Sequence, residues 1–110
     1  MNISQDRSLS FILLCAVRFF REKRTLPPDL GAGKYCPHFM IKGKDQYLGI
    51  RLTGEEKPEF TTWLECRAEP LYADMDYSDL VGGAEFFIIE GNNKVGEGIV
   101  NEILRTDNMN

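Results

Sequence analysis

One histidine, one tryptophan and three cysteines with no Cys-x-x-Cys spacing leave this 110-residue chain short of the usual metal ligands. A zinc site needs about four ligands, and His38 with Cys15, Cys36 and Cys66 in no paired arrangement does not supply them. The odd cysteine count also speaks against a disulfide framework and for reduced thiols in the cytoplasm. No Gly-x-x-x-x-Gly-Lys motif occurs, so a GTPase or ATPase phosphate loop is excluded. Internal repeats and low-complexity tracts are missing too. The one long apolar run, LSFILLCAV from residue 9 to 17, is too short to span a bilayer. Asp6 offsets Arg7 ahead of it, and Leu14 stands where a lipoprotein cleavage site wants a small residue. A buried strand is the better reading of that run, and no membrane association is expected.

Composition fits one folded domain, with 43% hydrophobic and 27% charged residues. The formal charge of -4 conceals an uneven distribution. Residues 1–44 carry eight basic and three acidic side chains, a net +5, whereas 45–110 carry five basic and fourteen acidic, a net -9. A basic face and an acidic face on one molecule are therefore expected.

Short runs rich in aromatic and β-branched residues recur along the chain: residues 9–21, HFMIK, YLGIRL, TTWLECRAEPL, AEFFIIE and VGEGIVNEIL. A helix competes for the first, since Leu, Ala, Arg and Phe are compatible with one. RTLPPDLGAGK, residues 24–34, is a loop, because Pro27 and Pro28 fix φ while Gly31 and Gly33 loosen the backbone beyond them. Six strands with few helices predict an all-β fold, a sandwich or a small closed barrel. Asn92 and Asn93 after Gly91 predict a tight hairpin turn between Ile89 and Val95. Gly96 and Gly98, two apart on a strand, share a face on which another backbone can approach or the strand can bend.

GAEFFIIEGNNKVGEGIVNEIL, residues 83–104, resembles the last two strands of the C-terminal (third) domain of bacterial elongation factor Tu. KYCPHFMIKGKDQYLGIRL, residues 34–52, is similar to that domain's Tyr-x-Pro-x-Phe segment and the strand after it, and TTWLECRAEPL to the next strand. The likeness runs over roughly residues 9–105, between tails at 1–8 and 106–110. It implies a six-stranded closed antiparallel β-barrel and a binding role without catalysis, since the family's GTPase site lies in a different domain. In the family this barrel helps hold the T arm of aminoacyl-tRNA and touches the nucleotide-exchange factor. Arg24 matches the arginine of the family's turn after its first strand, and Gly96 falls in the glycine pair near the tRNA backbone. The family's neighbouring histidine is Thr25 here, its arginine before the proline is Cys36, and residues 72–82 carry extra acids. The resemblance therefore implies a partner in translation, or a protein that recognises the factor, with weak RNA affinity. Arg21, Lys23 and Arg24, with Lys94 and Gly96 of the closing hairpin, are the candidate contacts.

Other constellations are weaker. Cys36-Pro37-His38 sets a thiol near the sole imidazole, but neighbours across a proline on extended chain point apart. Cys36 is expected to pack, with His38 on a strand. Asp74, Asp76, Ser78 and Glu85 occupy positions 1, 3, 5 and 12 of a calcium-loop pattern, yet Asp79 stands where the turn wants glycine and no helices flank it. An acidic surface loop is the better reading, and neither metal nor cofactor is expected. Such a loop suits a second function, a small acidic inhibitor or immunity-type protein that blocks a basic protein such as a toxin nuclease. Tyr72, Asp74, Asp76, Tyr77 and Asp79 would form that contact, with Trp63 left to the core. A protein is the partner expected first on either reading.

Overall fold

The computed structural model describes residues 11–105; the tails expected at 1–8 and 106–110, Arg7 included, lie outside these residues. Six strands form one closed antiparallel barrel: β1 (Phe11–Phe19), β2 (His38–Ile41), β3 (Leu48–Thr53), β4 (Leu64–Pro70), β5 (Glu85–Glu90) and β6 (Asn93–Arg105). Their order around the barrel is β1-β4-β3-β2-β5-β6, and β6 returns to pair with β1. All six expected strands are present. The first ends sooner than expected, because β1 stops at Phe19 and Arg21–Lys23 form a single 3₁₀ turn; residues 9 and 10 of the expected strand lie outside the described residues. Among the described residues no helix is long and apolar enough to cross a membrane.

Alternation explains why β1 is a strand despite its helix-compatible composition. Leu13, Cys15, Val17 and Phe19 are buried, and the residues between them are half-buried on the outer face. β4 repeats the pattern with Leu64, Cys66 and Ala68, and β3 contributes Leu48, Ile50 and Leu52. At the centre Phe39 and Phe86 stack with ring centroids 3.8 Å apart. Each large side chain removed from water in this way contributes about 1.5–3 kcal/mol. Loop residues close the barrel's ends: Leu30 from the proline loop, and Tyr77 and Leu80 from the acidic loop, join the same core.

Closure depends on the two glycines of β6. A Cβ at Gly96 would lie 2.5 Å from the Arg18 carbonyl oxygen, and one at Gly98 would lie 2.6 Å from that of Ala16. The rings of Phe19 and Phe86 and the Ile88 side chain fill the vacated space. Segment 95–104 is strand throughout. In the β5–β6 turn, Glu90 pairs with Asn93, and Gly91 alone takes a positive φ, 61°. The asparagines were expected to supply that conformation; glycine at the first loop position does so instead, the placement a type II′ turn requires.

Candidate partner-binding site

β1 and β6 bring the predicted basic residues to one end of the barrel. The Phe20 amide donates to the Val95 carbonyl (2.8 Å) and the Thr61 amide to that of Phe19 (2.8 Å), so the 3₁₀ turn, the closing hairpin and residues 60–63 meet there. Arg18 on β1, Glu97 on β6 and Phe87 on β5 stand in one row of the register. Glu97 accepts from Arg18 Nε and Lys42 Nζ, each at 2.8 Å. The Lys42 ammonium, then the Arg18 guanidinium, holds the Glu97 carboxyl below its usual range, and Glu97 in turn raises Lys42.

Aromatic rings extend this row in both directions. Arg18 lies 5.0 Å from the centroid of Trp63, and Lys42 and Lys94 lie 5.0 and 4.2 Å from that of Phe87. Arg21 sits over Phe60 at 5.7 Å. Such pairs contribute about 0.5–1 kcal/mol at exposed sites. Trp63 was expected in the core, but it is 49% exposed because β4 directs its alternate residues, Leu64 and Cys66, inward from the next position. Neither Trp63, Arg18, Lys42 nor Phe87 stood out as a site residue in the sequence, since their grouping follows from strands distant along the chain.

The predicted basic residues divide into two kinds. Arg24 pairs with Glu90, donates from Nε to the Leu26 carbonyl (2.8 Å), and packs over Tyr35, whose hydroxyl donates to Glu90 at 2.5 Å. Burial, then the Glu90 carboxylate, pushes the Tyr35 phenol up, so it stays a donor. Arg24 thereby fastens the proline loop to the hairpin. Gly96 is buried, and its contacts are those of barrel closure. Arg21, Lys23 and Lys94 are exposed and make no ion pair among the described residues.

The acidic loop is organised differently. Tyr77 is a core residue, 7% exposed, and not the surface anchor expected: its hydroxyl donates to the Gly49 carbonyl (2.6 Å) and accepts from the Leu71 and Tyr72 amides, each at 3.2 Å. Tyr72, 47% exposed, lies over Gly49 on β3. Asp76 accepts from the Ser78 amide (2.9 Å), and the Ser78 hydroxyl and amide lower its carboxyl. Asp79 pairs with Lys44 at 2.7 Å, whereas Asp74 is exposed without a pair among the described residues. No three His, Cys, Asp or Glu side chains among these residues converge as metal ligands would.

Cys36 is exposed rather than packed, because the Pro37 after it is the residue buried beside β3. No hydrogen bond joins Cys36 to His38, whose ring lies against Tyr47 at 5.7 Å. Cys15 and Cys66 face one another across β1 and β4, and burial pushes both thiols up to about 12. They remain protonated and behave as small apolar groups. No protein-family model matches the chain. No curated protein matches it either.

Proposed function

We propose that this barrel is a non-catalytic binding module of the kind represented by the elongation factor Tu third domain, and that its basic, aromatic end engages RNA of the translation apparatus. The observation that carries this reading is the half-exposed Trp63 beside a surface that holds Arg21, Lys23 and Lys94 without ion-pair partners among the described residues. Exposed rings accept stacked bases at about 1–3 kcal/mol each, while cations track the phosphates. Few free cations imply modest affinity that falls with salt. Trp63 is the sole tryptophan, so its emission reports contact directly. In a titration of the intact chain with aminoacyl-tRNA and with single-stranded RNA, quenching of Trp63 is expected. The triple change Arg21→Glu, Lys23→Glu, Lys94→Glu should abolish it; unchanged affinity rejects the reading.

The second reading, an acidic inhibitor of a basic protein, is favoured by Tyr72 and Asp74 standing exposed together in the loop between β4 and β5. Capture of a basic nuclease that survives loss of the three cations but ends with Asp74→Asn and Asp76→Asn would select it.

A further inference from the structure

β3 and β4 part company before β4 begins. Their pairing ends at Thr53 and Arg67, so Leu64, Glu65 and Cys66 are paired with β1 on one side and with no strand on the other. Successive residues of a strand direct their N–H and C=O groups to opposite sides. At least one of these three therefore offers its backbone pair to the gap. A cavity of about 530 Å³ opens there, with Leu14, Cys15, Leu30 and Cys66 among its lining residues. It adjoins a second cavity of about 530 Å³ beneath Leu26, Pro27 and Pro28, sharing Leu30, Gly31, Glu55 and Glu56 with it.

The walls of this trough are acidic. Glu55, Glu56, Glu65 and Glu102 are exposed along it, and none makes an ion pair among the described residues. Arg67 and Lys57 are the cations that line the two cavities. Glu56 is near enough to Cys66 to add to the rise of that thiol. An apolar floor, unpartnered strand backbone and uncompensated carboxylates call for different things from a ligand, and one kind of chain meets all three. Its backbone must be extended, its side chains must alternate, and those facing the walls must be positive.

We propose that the trough is a docking groove for an extended, basic segment of a protein partner. The segment adds alongside Leu64–Cys66, sets apolar side chains on the floor between Leu14 and Leu30, and presents Lys or Arg to Glu55, Glu56 and Glu65. An RNA strand is repelled by the same carboxylates. The inference stands apart from both readings above, since it uses none of their residues.

The test uses the full chain and three short synthetic peptides: alternating arginine and valine, alternating glutamate and valine, and a helix-forming lysine–alanine peptide of the same positive charge. Binding of the first alone is expected, with amide shifts at Gly54, Glu65 and Cys66. The triple variant Glu55→Gln, Glu56→Gln, Glu65→Gln should weaken it about tenfold, since three exposed ion pairs are together worth on the order of 1–2 kcal/mol. Asp74→Asn with Asp76→Asn should leave it unchanged, as should Arg21→Glu with Lys23→Glu. An unaltered thermal midpoint shows that the groove variant is folded; where the midpoint falls, Glu102→Gln alone, at the rim, must still weaken binding. The proposal is overturned if the arginine–valine peptide fails to bind, if the helical or acidic peptide binds as well, or if the shifts map to residues 72–79 or to the basic end.

Discussion

The seam of β1, β6 and β5 and the loop of residues 71–84 hold their charges in opposite ways. At the seam, Glu97 is shared by Arg18 and Lys42, and Glu90 by Arg24 and Tyr35, all part-buried and tied to the barrel's strands. In the loop, charge is left in solvent, and the order comes from an uncharged group, the buried Tyr77 hydroxyl. A count of basic residues therefore overstates the basic end, because Arg18, Lys42 and Arg24 are committed to carboxylates. The groups left for a partner there are Arg21, Lys23, Lys94 and Trp63.

The contrast can be broken most forcefully at glycine. Gly98 in the seam has no room for a methyl group, since its Cβ would lie 2.6 Å from both the Ala16 carbonyl oxygen and Phe86 Cζ. Both are barrel atoms that cannot retreat separately, so Gly98→Ala is expected to cost about 3 kcal/mol in urea unfolding. Gly82 in the loop has nothing within 4 Å of its Cβ position, and Gly82→Ala should fall within about 0.5 kcal/mol of the parent. Equal losses at the two positions would remove the distinction between a packed seam and an open loop.

A smaller effect tests the loop's own anchor. Tyr77→Phe keeps the ring against Phe11 and the Leu71 amide on the Gly49 carbonyl (3.2 Å), but leaves the Tyr72 amide without its partner. The loss should be about 1 kcal/mol, from the hydroxyl's own hydrogen bonds and the one amide left unpaired. Hydrogen exchange should quicken at Leu71 and Tyr72 before any amide between β1 and β6 responds. Uniform quickening would mean that loop and seam open as one unit.

Acid titration separates the regions more finely. The Glu97 carboxyl is held below its unfolded value by Lys42 and then Arg18, so its stabilisation is full above the ordinary carboxylate range and is lost as pH falls through the lowered folded value. Lys42 is raised, so its share is full below the ordinary lysine range and is lost as pH rises through the raised value. Glu97→Gln should cost about 1 kcal/mol at neutral pH and flatten the acid limb of the stability curve. Asp76→Asn should leave that limb nearly as steep, since Asp76 is fully exposed.

Much of this architecture was legible because strand alternation is a local property. β4 alternates buried and exposed residues, and the glycine pair of β6 marks its own seam. β1 was harder, since Ile12, Leu14 and Ala16 on its outer face are as apolar as the residues it buries. The sites were legible only in outline. Whether Arg24 is free depends on Glu90, and whether Tyr77 is exposed depends on Gly49, partners 66 and 28 positions away. The trough was invisible for the same reason: Glu55, Glu65 and Glu102 belong to different segments, and only barrel closure sets them around one gap.

The finest test concerns Thr61, the one described non-glycine residue with a positive φ, 62°. A β-branched side chain is poorly suited to that region, at a cost on the order of 1 kcal/mol or more. It is held there because its amide donates to the Phe19 carbonyl (2.8 Å) while its hydroxyl donates to the Phe60 carbonyl (2.5 Å). Thr61→Gly relieves the strain but adds freedom to the unfolded chain, so a net gain of only about 0.5 kcal/mol is expected. The turn also orients Phe60 and Trp63 beneath Arg21 and Arg18. A variant that gains stability while Trp63 emission becomes less polarised would show that strain at this turn fixes the aromatic edge. Lower stability would show instead that the threonine hydroxyl and the added freedom of the unfolded chain together outweigh the strain.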